Sequence, residues 1–158
     1  MQLRVVAPLP FVLVVALIAG CGGDTPGLVE DCGGGDASEV CEVFRLVNAE
    51  RASAGLPPYA WNAELALAAQ RHAIDMVEND YFSHESLDGR SFVDRIEQAG
   101  YTASPRGENI AAGQRTPEQV MDSWMASSGH RANILAEGSN EIGVGLHDFH
   151  WVQVFGQR

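Results

Sequence analysis

The chain has 158 residues, enough for one domain with a hydrophobic core but few for two. It carries 21 acidic and 10 basic residues, which gives a formal net charge of -11, and every basic residue is arginine. Because an acidic surface repels phosphate backbones, this charge disfavours nucleic-acid binding.

The beginning of the chain predicts an export signal. One arginine near the start precedes an apolar run from Val5 to Ala19, which ends in small residues before Cys21. The run is shorter than the roughly 20 apolar residues that a spanning helix needs, and two prolines interrupt it. This favours a signal peptide over a retained transmembrane anchor.

The ending LIAGC resembles the lipobox of bacterial lipoproteins, in which the chain is cut before the cysteine and the thiol carries a diacylglycerol. We therefore expect a signal peptide over residues 1–20, lipidation of Cys21 and a flexible, glycine-rich tether over residues 21–37. The protein would then be an extracytoplasmic lipoprotein of the cell envelope, held to a membrane by its lipid anchor. Cleavage without lipidation is the alternative.

Two further cysteines, Cys32 and Cys41, form an even pair in a compartment that permits disulfides. The glycine-rich stretch between them can bend enough to close a short loop. A disulfide is one interpretation, and two free thiols with Cys41 on a helix face is the other. Closure of so short a loop stabilises a fold only modestly.

Two amphipathic helices are predicted next. The first begins near Asp36, where DASE offers an N-cap with a glutamate three residues later, and ends at Gly55. The second covers residues 63 to about 78, behind the cap Asn62. On its apolar face His72 is expected to be a half-buried packing residue that bonds a neighbouring loop, not a ligand.

A short third helix is expected to end at Gly100, and SPRGENIAAG, residues 104–113, is expected to be a loop. Thr116 then caps a fourth helix, with Pro117 in its first position and a glutamine in capping-box register; Gly129 is expected to end it.

The tail changes to a period of two. Apolar residues alternate over residues 142–146 and again over residues 152–154, with turn residues between them, which predicts a β-hairpin. Helices followed by strands indicate an α+β fold. The common signatures of metalloproteases, serine hydrolases, nucleotide-binding loops and paired-cysteine zinc sites are absent from the sequence.

Five segments occur in order along the chain: FSHES, RGENIAAG, SWMASSGHRANIL, EIGVG and WVQVFG. Together they resemble the bacterial branch of the CAP superfamily, the family of the SCP domain, from about Val40 to Gly156. The resemblance implies a CAP/SCP domain over residues 38–158. It also implies a three-layer α/β/α sandwich around a small, largely antiparallel sheet.

In that family two histidines and two acidic residues line a cleft, and the histidines can hold a divalent cation. The resemblance places the histidines at His84 and His130 and the first acid at Glu108. At the spacing of the second acid from Trp124 this chain has Ser127, so the set of four is incomplete. Two imidazoles and a carboxylate suit zinc best.

Two functions follow from the resemblance. The first is a non-enzymatic binding module whose cleft takes a cation and a small or lipidic ligand. The alternative is a metal-assisted, peptidase-like hydrolase with Glu108 as general base to a bound water. Structural roles also stay open: His84 and His130 as loop and turn residues, with Glu108 paired to Arg106 or Arg131.

The lipobox gives the first testable prediction. The exported protein should partition with membranes, because acyl chains anchor it, and Cys21→Ser should release it or leave it unprocessed. Intact mass of the mature N-terminus measures the adduct. A membrane-bound, normally processed Cys21→Ser protein would contradict lipidation.

Overall fold

The computed structural model describes Cys32 and residues 38–158; the expected signal peptide, Cys21 and the rest of the tether lie outside the described residues. Within this part, no helix combines the length and apolar character required to cross a membrane. The elements in chain order are α1 Glu39–Ser53, β1 Ala60–Trp61, α2 Ala63–Glu78, α3 Phe92–Gln98, β2 Ser104–Ala112, α4 Pro117–Ala126, α5 Ser128–Ile134, β3 Glu141–His147 and β4 His150–Gln157.

The strands form one four-stranded sheet in the order β1-β3-β4-β2. β1 runs parallel to β3, whereas β3 with β4 and β4 with β2 are antiparallel. The sheet is therefore largely antiparallel, and β2 forms one of its edges.

Helices cover both faces of the sheet. Ile142, Val144, Trp151 and Phe155 point to one face and pack against the apolar sides of α1, α4 and α5. The intervening β4 residues point to the other face and pack against α2 and α3. Because strand residues alternate between faces, the hairpin supplies both cores. This confirms the predicted α+β fold with its α/β/α layers.

Glycines let α2 lie directly on β3. A Cβ atom at Gly143 would collide with the backbone of Leu65 and Ala66, and one at Gly145 with the backbone of α2 one turn later. The helix and strand therefore touch backbone to backbone, without intervening side chains. This contact explains the two glycines of the segment EIGVG.

The predicted caps are largely confirmed. Asn62 and Thr116 accept hydrogen bonds from the third backbone amide of their helices, at 2.9 and 3.3 Å. Gly55 and Gly100 follow the ends of α1 and α3 with positive φ. The predicted start of α1 was wrong: its N-cap is Ser38, whose hydroxyl accepts from the Cys41 amide, so the helix begins after the expected Asp36 cap.

The prediction of a loop over residues 104–113 was wrong, because most of this stretch is β2. Its proline and glycine indicated a loop, but they lie at a register shift between Pro105 and Gly107 near the start of the strand. Proline is tolerated at edges and bulges. Pairing with β4, from the far end of the chain, outweighs the local signal.

The end of α4 also differs from the prediction. The helix stops at Ala126 because Ser127 is extended, with φ -92° and ψ 123°. Gly129 lies inside the next helix, the seven-residue α5, which the sequence did not predict. A break at a serine carries no strong local signal, whereas the glycine sits in the tolerant first turn.

The predicted hairpin is confirmed. Asp148 and Phe149 connect β3 to β4 and both have positive φ, 40° and 59°. Such a two-residue turn matches the right-handed twist of the paired strands.

The structure joins Cys32 to Cys41 in a disulfide, with Cα atoms 5.6 Å apart. Both residues are buried in the core cluster around α1 and α4. The bond joins Cys32 to the first turn of α1.

The close contact of α2 with β3 predicts a destabilised Gly143→Ala variant. The added methyl group must displace backbone, so the free energy of unfolding should fall by roughly 1–3 kcal/mol or more. The matched control is Gly138→Ala, where a Cβ meets nothing within 4 Å and the change should stay within about 0.5 kcal/mol. Urea unfolding measures both; equal effects would contradict the packing argument.

Candidate functional site

His84 and Glu108 form a hydrogen-bonded pair. The Nδ1 atom of His84 lies 2.8 Å from Oε1 of Glu108. The Glu108 side chain is 2% exposed, whereas that of His84 is 56% exposed. Because a carboxylate can only accept, we assign the proton to Nδ1, which leaves Nε2 as a lone-pair donor on the exposed ring.

Arg95 fixes this pair from behind. Its Nη2 donates to Oε2 of Glu108 at 2.7 Å and to the carbonyl of His84 at 3.0 Å. Its Nη1 donates to Oγ of Ser86 at 3.2 Å and to the carbonyl of Arg90 at 3.1 Å. The side chain is 5% exposed. One guanidinium therefore holds the histidine loop and the carboxylate together.

Sequence reasoning missed Arg95. The expected partners of Glu108 in a purely structural role were Arg106 and Arg131, but Arg106 bonds Gln157 instead. Arg95 stands in the short α3, whose N-cap Ser91 forms a capping box with Asp94. Nothing in a single sequence marks one helical arginine as buried, because most arginines are solvated.

His130 reaches the same edge of the sheet from α5. Asn109 on β2 donates from Nδ2 to the His130 carbonyl at 3.1 Å. Asn133 of α5 donates to Oδ1 of Asn109 at 2.8 Å and to the carbonyl of Glu108 at 3.3 Å. These two asparagines, also missed from the sequence, lie in the GENI and HRANIL segments and seat α5 on β2.

The His130 ring lies near the His84 ring. Burial lowers the pKa of the His130 ring below its usual value, and the nearby His84 ring lowers it further. The His130 imidazole makes no hydrogen bond to any residue that the structure describes. A neutral ring with unengaged nitrogens can act as a metal ligand.

A metal ion at this site would be bound by the imidazoles of His84 and His130, with the Glu108 carboxylate hydrogen-bonded to His84. In the described part of the chain, no group of three or more His, Cys, Asp or Glu side chains has the arrangement to hold a metal. Both oxygens of Glu108 already accept hydrogen bonds, so it orients His84 as outer-shell carboxylates do. Ser127 makes no capping hydrogen bond through its side chain and supplies no carboxylate.

The family model described as "CAP: Cysteine-rich secretory protein family" matches residues 44–155. The chain belongs to the CAP family. The match includes all three residues that the sequence predicted for the cleft, and the fold carries His84 and Glu108 into direct contact.

Several bacterial proteins are similar to this CAP domain. The Bacillus subtilis protein YkwD is 40% identical over 116 residues, which cover 72% of this chain and 45% of YkwD. The Bacillus subtilis membrane protein YlbC is 33% identical over 117 residues, covering 74% of this chain and 34% of YlbC. The chain thus spans less than half the length of either curated relative.

Solved structures share the fold. An extracellular SCP-domain protein from Bacillus anthracis has a TM-score of 0.74 at 34% identity, covering 76% of this chain and 40% of that one. An outer surface protein from Borrelia burgdorferi has a TM-score of 0.65 at 24% identity, covering 73% and 90%.

His72 supports the site loop of this CAP domain from below. Its ring is fully buried rather than half-buried, and Nε2 lies 3.0 Å from the carbonyl of Ser83, which precedes His84. The expected bond to a neighbouring loop is confirmed. Burial lowers the pKa of His72, partly opposed by the charge of Glu108.

That burial predicts acid destabilisation. Because the native pKa lies below the usual value of about 6.5, the unfolded chain binds more protons in the window just below that value. The free energy of unfolding should therefore fall as the pH drops through this window. In His72→Gln the fall should be shallower, whereas the exposed His147→Gln should keep the native slope. Urea unfolding across the window measures this; parallel slopes for all three proteins would exclude His72 as the cause.

Proposed function

We propose that this CAP domain is an extracytoplasmic binding module without catalytic activity, anchored to an envelope membrane through lipidated Cys21. Its cleft takes a divalent cation, zinc by preference, between His84 and His130, together with a small or lipidic ligand. Glu108 does not bind the cation itself but orients the His84 ring by a hydrogen bond.

The observation that carries the proposal is the bond from Nδ1 of His84 to Glu108, which Arg95 holds in place. It fixes the ring orientation and leaves Nε2 exposed, as in metal sites where a ligating histidine donates its other N–H to a carboxylate. The lowered pKa of His130 favours its neutral form, which places a second metal-binding ring near His84.

Three features support a place outside the cytoplasm. The beginning of the sequence has the pattern of an export signal with a lipobox. The Cys32–Cys41 disulfide is typical of oxidising compartments. The similar Bacillus anthracis protein is described as extracellular.

The peptidase-like alternative is less favoured by the contacts of Glu108. A general base must reach the proton of a water molecule. Both Glu108 oxygens accept hydrogen bonds from His84 and Arg95, and its side chain is 2% exposed. The serine at position 127 also leaves the site without the family's second acid.

Calorimetric titration with zinc tests the proposal. His84→Ala and His130→Ala should each weaken binding at least about tenfold, whereas His147→Ala, an exposed histidine at the end of β3, should not. Because imidazole must be deprotonated to ligate, binding at about pH 5.5 should be weaker than at about pH 7.5.

Two outcomes would overturn this assignment: no zinc uptake at micromolar concentration, or equal losses in His147→Ala and His130→Ala. A separate assay decides the alternative. Turnover of a peptide or ester that disappears in Glu108→Gln while zinc affinity stays native would establish the hydrolase in place of the binding module.

A further inference from the structure

A separate cavity of about 250 Å³ lies between α2 and α3, and Glu108 is not among the residues that line it. Its walls come from one face of α2, from the loop before α3 and from α3 itself. The lining residues are Ala68, Arg71, Ile74, Asp75, Glu78, Arg90, Arg95 and Gln98.

The cavity brings charged side chains of both signs together, three arginines with Asp75 and Glu78. Three of the ten basic residues of the whole chain line it, Arg71, Arg90 and Arg95. The side chain of Arg90 already donates hydrogen bonds to Asp88 and Gln98. The other two arginines retain donors that nothing in the described chain accepts.

Arg95 has one free donor. A guanidinium has five N–H groups, and the four terminal ones of Arg95 are used by Glu108, His84, Ser86 and Arg90. Its Nε–H has no acceptor among the described residues, although the side chain is 5% exposed. A buried, charged side chain with an open donor on a cavity wall is suited to an anionic partner.

Arg71 and Glu78 complete the set. Both are exposed, and neither has a hydrogen-bond or ion-pair partner in the part of the chain that the structure describes. Asp75 is occupied, because its oxygens accept from Asn79 at 2.8 Å and from the Tyr81 hydroxyl at 2.5 Å. The charged groups of the cavity that remain open are thus two cationic donors and one carboxylate.

We propose that this cavity is a second binding site, for a small zwitterion of the α-amino-acid type. Its carboxylate accepts from Arg71 and from Nε of Arg95, its ammonium group pairs with Glu78, and its apolar part lies against Ala68 and Ile74. The volume lies below the roughly 300 Å³ of the smallest common ligand pockets, which suits a molecule of this size.

The site is also linked to the histidine cleft. Arg95 lines the cavity, and its terminal donors hold Glu108 and the His84 loop. A carboxylate bound at Nε therefore shifts the guanidinium against the His84–Glu108 pair. The proposal goes beyond the function proposed above and does not depend on zinc binding.

NMR titration of the isotope-labelled full-length protein with L-alanine tests the site, with acetate and methylamine as single-charge comparisons. L-alanine should give saturable shifts at the amides of Ala68, Ile74 and Gln98 and at the His84 ring. Arg71→Gln and Glu78→Gln should each raise the Kd about tenfold, the loss expected for one charged hydrogen bond. Arg115→Gln removes the same charge from the loop before α4 and should bind like the native protein.

Several results would overturn the proposal: no saturable shift with L-alanine, native affinity in Arg71→Gln, or acetate binding as tightly as L-alanine. Shifts at the cavity without any change at the His84 ring would refute the link through Arg95. Because the titration contains no zinc, a failed zinc experiment and a failed L-alanine experiment remain distinguishable.

Discussion

The buried guanidinium of Arg95 is the interaction on which the site depends. Removing this charge from water is costly, and the cost is offset only because every terminal N–H finds an acceptor. One acceptor is the Glu108 carboxylate on β2. The others lie in the loop before α3: the carbonyls of His84 and Arg90 and the hydroxyl of Ser86. The loop has little apolar packing of its own, with Phe82 and Leu87 exposed, so this polar contact determines where His84 stands.

The hydrophobic core and the cleft are held by different forces. Two apolar clusters, one on each face of the sheet, hold α1, α2 and α4 in place. The parts that carry the histidines are a loop and the seven-residue α5, and both contact the edge strand β2 through polar side chains. α5 is also held by Ile134 in the first apolar cluster. We infer that the position of His84 rests on a few hydrogen bonds, whereas the stability of the domain rests on the core.

Local signals in the sequence were sufficient for α1 to α4 and the hairpin, apart from some helix ends, because caps such as Asn62 and turn residues act on their neighbours. The short α5 was not predicted. β2 could not be predicted in this way, because its partner strand lies at the other end of the chain. The family resemblance placed His84 and Glu108 in one cleft, since only a known fold relates such distant residues, but their direct hydrogen bond was not predicted. The roles of Arg95 and the two asparagines were not predicted, because burial of a polar residue is a property of the tertiary structure.

The contact of α2 with Gly143 and Gly145 has a mechanical consequence. Shear between a helix and a sheet requires side chains that can slide or change rotamer, and this interface has backbone against backbone instead. α2 therefore keeps a fixed position on the sheet. The residues it carries, His72 beneath the cleft and Arg71 at the cavity, are fixed with it. Any opening of either site must come from the other wall, through hinge movements of the His84 loop, α3 or α5.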